Sequence, residues 1–263
     1  MKKTVFAIIC VILSLSLFTL PSFAETKSYS WYCRHVKSHV QPSVGSELSF
    51  IEDLDAYYID HAHTKAEEED KVIYLTFDAG YENGNVAKVL DVLKEEEVSA
   101  AFFILGNLIS HDTELVRRMA SEGHTVCNHT LRHKDMSKVT DVTSFLEELH
   151  ALERLYEEQI GEKMACYYRP PEGKFSRENL AWAKENGYKT VFWSFAYPDW
   201  DNKKQMSPEK AKAVILENIH NGAVLLLHPT SETNALILGD VIRELKAQGY
   251  RFGTLDELTR KAE

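Results

Sequence analysis

His129 and His133 stand four residues apart in the stretch His129-Thr130-Leu131-Arg132-His133. In a helical turn that spacing puts both imidazoles on one face, where they can share a divalent metal ion. Four other polar residues each appear where an apolar run stops. Asp78 ends Thr76-Phe77-Asp78-Ala79-Gly80 just before a glycine turn; taken alone, it also suits a cap or turn residue. Arg169 opens the stiff turn Arg169-Pro170-Pro171-Glu172-Gly173, in which the guanidinium can pair bidentately with a carboxylate and the Glu172 N–H stays free to donate. Asp199-Trp200 and Leu226-Leu227-His228 complete the set, the second being an apolar run that abruptly presents a histidine. None of these segments is decisive by itself. His61 and His63, beside the acidic run Glu67-Glu68-Glu69-Asp70, have no partner motif and read as solvated surface.

The elements that must position these residues follow a simple alternation. Short β-rich runs at 72–77, 100–105, 125–128, 167–169, 190–195, 223–227 and 251–255 make seven strand candidates. Helical patterns lie between them at about 84–96, 112–122, 141–160, 176–186, 208–221 and 235–248, several stopped by glycines such as Gly123, Gly161, Gly187 and Gly249. Such βα alternation predicts a parallel sheet covered by helices. Asp78, His129 with His133, Arg169, Asp199 and His228 then fall at or just beyond successive strand ends, as on the rim of a β/α barrel. An open doubly wound sheet would also gather residues there, so the pattern favours the barrel without requiring it.

Residues 1–24 have the form of a secretory signal peptide: Lys2-Lys3, an apolar run from Val5 to Leu20, and the small residues Ser22 and Ala24 before Glu25. An exported protein follows, with an uncleaved membrane anchor as the other reading. Residues 25–70 read as an irregular N-terminal extension packed on a main domain at 71–263. The formal charge of −10 becomes −12 without Lys2 and Lys3, a poor surface for nucleic acid and one compatible with a glycan. No protein partner is implied. Cys33, Cys127 and Cys166 remain after the leader, without CxxC spacing, and are expected as free thiols because the two in strands should lie too far apart to bond.

In this order the segments resemble the five motifs of the NodB-type polysaccharide deacetylases, carbohydrate esterase family 4. TFDAG is similar to the family's TFDDG, HTLRH to its H(S/T)xxH, RPPEG to its RPPxG-type arginine motif, PDW to its DxxDW and LLH to its LxH. The resemblance implies a distorted (β/α)7 barrel and a metal-dependent N-deacetylase. It gives His129 and His133 the metal, makes Asp78 the general base and His228 the general acid, and has Arg169 orient an acidic partner. Asp199 would tune the acid or pair with the arginine, Glu172 would donate its N–H to the oxyanion beside Pro171, and Trp200 and Leu226 would form apolar walls. One position departs from the pattern. The second aspartate of TFDDG, a metal ligand in the family, is Ala79 here. The implied ion, zinc by preference, would then be weakly held, completed by water or by a neighbour such as Asn83, or the chain would be a non-catalytic glycan binder. TFDAGYENGN and the upstream SWY resemble more closely a branch of secreted sporulation enzymes. These deacetylate N-acetylmuramic acid in peptidoglycan strands toward the muramic δ-lactam of spore cortex. The alternatives are deacetylation of N-acetylglucosamine in peptidoglycan or chitin, or an O-acetyl esterase of xylan.

Overall fold

The strand Lys71–Ala79 organises the molecule. Ile73, Leu75 and Phe77 pack into a layer of helix side chains, whereas Val72 and Tyr74 point into the space that the curled sheet encloses. A strand covered on both faces reads as a nearly continuous apolar run. Thr76 and Asp78 are the polar interruptions, and both contact an arginine on the enclosed side.

The computed structural model describes residues 27–32, 36, 38–65 and 69–260. The expected signal peptide and Cys33 lie outside the described residues. In chain order the strands are β1 Ser28–Ser30, β2 Ala56–Tyr57, β3 Lys71–Ala79, β4 Ala101–Ile104, β5 Thr125–Asn128, β6 Ala165–Tyr168, β7 Lys174–Ser176, β8 Lys189–Val191, β9 Ala223–Leu227 and β10 Tyr250–Phe252. The helices are α1 Val86–Glu95, α2 Gly106–His111, α3 Thr113–Ser121, α4 Val142–Ile160, α5 Arg177–Glu185, α6 Pro208–Asn218, α7 Glu232–Ala247 and α8 Leu255–Leu258.

β3, β4, β5, β6 and β8 run parallel in that spatial order, with β10 and β9 also paired to β3. A parallel bridge between Phe195 and Leu225 brings the chain beyond β8 against β9 and curls the sheet. The result is the distorted (β/α)7 arrangement expected from the sequence, with every predicted strand represented.

Two strands stop three or four residues earlier than predicted, for local reasons. After Val191, the Val191 and Phe192 carbonyls turn toward the Arg169 guanidinium instead of a neighbouring strand. After Phe252, Gly253 still donates its N–H to Ile73 O at 2.9 Å, but Thr254 accepts from the Glu257 N–H and caps α8, so the chain leaves the sheet there. The four predicted glycine stops all have φ between 83° and 87°, the left-handed geometry in which a side chain is strained.

The segment expected to be irregular contains regular pieces. β1 pairs antiparallel with β7, a 3-10 helix spans Ser46–Leu54, and β2 lies parallel beside β8 in the main sheet. Trp31 stacks on Phe192 at 4.4 Å, which anchors this segment to the barrel wall. His63 is bound between Asp60 and Asp70 at 2.7 and 3.1 Å, so it is not simple solvated surface. Cys127 and Cys166 are free thiols, as expected. Cys127 registers opposite Ala165, and Cys166 is exposed while Cys127 is buried, as expected when successive strand residues face opposite ways. Among the described residues no helix is long and apolar enough to cross a membrane.

Candidate active site

A buried arginine builds the floor of the site. Arg169 follows β6 directly and is completely inaccessible, so its N–H groups must find acceptors inside the protein. Nε donates to Val191 O at 2.8 Å; Nη2 donates to Phe192 O at 3.1 Å and Thr76 Oγ1 at 3.0 Å. Nη1 donates to Asp78 Oδ1 at 2.7 Å, and the guanidinium lies 4.0 Å over the Phe103 ring. The bidentate pairing anticipated from the sequence does not form, because the remaining donors go to carbonyls and a hydroxyl. Asp78 therefore keeps Oδ2 on the cleft side, 3.6 Å from His129 Nε2. Burial alone would raise the Asp78 pKa, but the charge and hydrogen bond of Arg169, with help from His228, outweigh it and hold the carboxyl below its ordinary value.

His129 comes immediately after β5. Its Nδ1 lies 2.8 Å from Arg169 O, and since a carbonyl only accepts, Nδ1 carries the hydrogen and Nε2 keeps its lone pair. Burial pushes its pKa down to about 4, so the ring is neutral, as a metal ligand must be. The predicted helical turn is absent between the histidines. Thr130 and His133 instead adopt φ of 73° and 56°. Thr130 N donates to Asn128 Oδ1 at 2.9 Å and His133 N donates to Thr130 Oγ1 at 3.1 Å. This turn, and not helical periodicity, brings the rings to 5.2 Å, edge to face. Gly106 matters here: a Cβ on it would sit 2.5 Å from Leu131 Cδ1, and its N–H donates to Leu131 O at 3.1 Å.

His228 follows β9 and belongs to a second polar group. Its Nδ1 lies 2.7 Å from Asp199 Oδ1, and its backbone N–H donates to Asp199 Oδ2 at 2.8 Å. Asn234 Nδ2 donates to the same Oδ2 at 2.6 Å, and Tyr197 OH in turn donates to Asn234 Oδ1. Asp199 thus pairs with His228, and Arg169 with Asp78, which resolves the two roles left open for Asp199. Burial would depress the His228 pKa, but the hydrogen bond and charge of Asp199 outweigh it and leave the pKa above the usual imidazole value.

Both groups open onto one cleft of about 720 Å³. Asp78, His129, His133 and His228 face it among walls that include Leu105, Trp193, Tyr197 and Leu226, with Trp200 61% exposed at the rim. Arg169 and Asp199 stay behind the lining and reach it through their bonds to Asp78 and His228. Glu172 reaches the cleft at φ 55°, its carboxylate drawn to Lys174 Nζ at 2.7 Å. Pro171 is buried and does not line the cleft. Asn83 does not line the cleft: its Nδ2 donates to Thr230 O at 2.9 Å and its Oδ1 accepts from Asn85 N at 3.3 Å. Among the described residues no group of three His, Cys, Asp or Glu side chains converges as a metal site. The donor set therefore fits an ion held by two protein imidazoles and otherwise open to the cleft. Tyr81, Trp193, Tyr197 and Asn234 were not marked by the sequence reading. Tyr81 adjoins a recognised motif, but Asn234 lies in α7 without any local signal.

Residues 65–191 match the polysaccharide deacetylase family. The peptidoglycan-N-acetylmuramic acid deacetylase PdaA of Bacillus subtilis is 40% identical over 230 residues, 87% of this chain and 85% of that protein. A peptidoglycan-N-acetylglucosamine deacetylase of Bacillus cereus is 34% identical over 73% of this chain and 89% of its own length. The solved structure of PdaA, described as a family 4 carbohydrate esterase, superposes with a TM-score of 0.82 at 38% identity, covering 88% of this chain and 97% of that one.

Proposed function

The chain belongs to the polysaccharide deacetylases of carbohydrate esterase family 4, and on that footing we propose that it removes the N-acetyl group of N-acetylmuramic acid in peptidoglycan. The observation that carries the chemistry is a single cleft facing an ionised carboxylate, a neutral imidazole and an imidazole that favours its proton. The 40% identity to PdaA over most of both chains supports the sugar. Glycan strands are then the partner, the site of action is outside the cytoplasmic membrane as the predicted signal peptide requires, and the product leads to the muramic δ-lactam of spore cortex.

The family is metal-dependent. His129 and His133 would hold the ion, zinc in our reading, which when bound supplies Lewis-acid polarisation of the acetyl carbonyl and the attacking water. Ala79, whose methyl lines the cleft, adds no third ligand, so binding should be weak. Asp78 Oδ2 takes the proton from water as its oxygen attacks the acetyl carbon. Arg169 keeps that carboxylate ionised and aimed. The oxyanion that forms is met by the Glu172 N–H, on a turn stiffened by Pro171. His228, its Nδ1 committed to Asp199, delivers the Nε2 proton to the amine as the C–N bond breaks, and acetate and a free amino sugar leave. Trp200 and Leu226 would form apolar walls for the acetyl group.

Peptidoglycan treated with the purified chain, then digested and analysed by mass spectrometry, should show loss of one acetyl from muramic acid residues, most readily those without a stem peptide. Loss confined to glucosamine would overturn the muramic reading and leave the deacetylase standing. No acetate release from any acetylated glycan would favour a glycan-binding role.

A further inference from the structure

The loop that bears His129 and His133 is an irregular turn with two left-handed residues, so something outside it must hold its shape. That element is α4. At one end of the loop, Asn128 Nδ2 donates to Leu149 O at 3.0 Å, while Asn128 Oδ1 receives Thr130 N. At the other end, where Gly106 also donates to Leu131 O, the contacts from α4 converge on one residue. Glu148 O accepts the Leu131 N–H at 3.1 Å. Glu148 Oε1 accepts from Arg132 Nε at 2.9 Å and lies 2.8 Å from Arg132 Nη2 and 2.7 Å from Lys134 Nζ. Arg132 and Lys134 flank His133 on both sides, and one carboxylate oxygen gathers both. The Glu148 side chain is 2% exposed, whereas those of Arg132 and Lys134 are 56% and 51% exposed. A surface ion pair fixes little, because both partners move. Here the anion is locked in the packed side of a 19-residue helix and the cations bend over it, so the pairing transmits the position of α4 to the backbone around His133.

We propose that Glu148 is a positioning residue for this metal loop: by holding Arg132 and Lys134 on either side of His133, it sets the orientation of that imidazole relative to His129. Two ligands give an ion less definition than three, so their relative geometry must come from the surrounding protein, and Glu148 supplies it. His129 needs no such help, being fixed by β5 and by the Arg169 carbonyl. The inference rests on the metal reading only for its consequence, not for the geometry.

The test compares Glu148→Gln and Glu148→Ala with the unaltered chain, with thermal melting as the control for folding. Gln keeps a carbonyl oxygen where Oε1 stands, so it should retain part of the clamp; Ala removes it. In ring-selective ¹H–¹⁵N spectra of the metal-free protein, the His133 signals should shift or broaden in Glu148→Ala, less so in Glu148→Gln, with the His129 signals unmoved. Zinc titrated calorimetrically should bind ~10-fold or more weakly to Glu148→Ala, with an intermediate value for Gln, as for other groups that orient metal ligands. Unchanged His133 spectra in both variants would overturn the proposal, as would equal movement of His129 and His133. If the unaltered chain bound no zinc, the metal reading would fail, and the ring spectra would still decide the role of Glu148.

Discussion

His129 and His228 line the same cleft and are held through the same ring atom, yet their protonation habits are opposite. The Nδ1 of His129 meets a backbone carbonyl, which orients the ring without adding charge, and burial leaves it neutral. The Nδ1 of His228 meets a buried carboxylate, whose charge reverses the effect of burial. The acceptor behind each ring, not its depth, decides whether the ring holds its proton, which is what the two roles proposed for them require. Asp78 shares the cleft with both rings and depends above all on Arg169 to stay ionised.

The most severe way to break this arrangement is to neutralise the carboxylate that shares the cleft with the two rings. Asp78→Asn should lower kcat by ~10²–10⁴-fold, the range for loss of a general base, while zinc affinity measured by calorimetry changes little. Asparagine is preferred to alanine because its carbonyl still receives Arg169 Nη1, whereas an unpaired buried guanidinium would cost ~3–5 kcal/mol.

Asp199→Asn would make His228 resemble His129. Asp199 raises the His228 pKa, so removing its charge lowers that pKa and shrinks the protonated fraction at neutral pH. The general acid is active below its pKa and lost as pH rises through it. The alkaline limb of kcat/KM should therefore move to lower pH in the variant, with ~10²-fold loss of kcat near neutrality. An unmoved alkaline limb would mean that a different group donates the proton.

Ala79→Asp tests the other side of the comparison by adding an anionic oxygen to the two imidazoles. Zinc affinity should rise by ~10-fold or more if a third ligand is gained. Tight binding in the unaltered chain, with no gain in the variant, would show that the site is already complete.

The smallest effect is expected at the rim. Asn202 Nδ2 donates to Tyr81 OH at 3.2 Å, a solvent-exposed bond that links the loops beyond β3 and β8. Asn202→Ala should raise KM for a glycan by roughly two- to fivefold and leave kcat alone, consistent with ~0.5–1 kcal/mol for one such bond. A fall in kcat instead would place Tyr81 closer to the chemistry than to glycan binding.

The sequence by itself determined the parallel sheet and its helices, because apolar periodicity and terminating glycines are local properties that tertiary packing did not override. It also named Asp78, His129, His133, Arg169, Asp199 and His228, which reach this cleft or stand directly behind it, since βα repetition places strand ends on one rim. Tertiary structure decided how they pair. Whether Asp199 served Arg169 or His228 depended on which loops curl together, and residues 199 and 228 share no pattern. The shape of the His129 to His133 turn was not legible either: its spacing suggested a helix, but the bonds that set it come from Asn128, Gly106 and α4. Pro171 was placed too near the cleft for a related reason, since a motif gives order along the chain but not which of two neighbours turns inward. Asn234 gave no signal at all, because an asparagine in a helix becomes part of a site only when another chain segment brings a carboxylate to it.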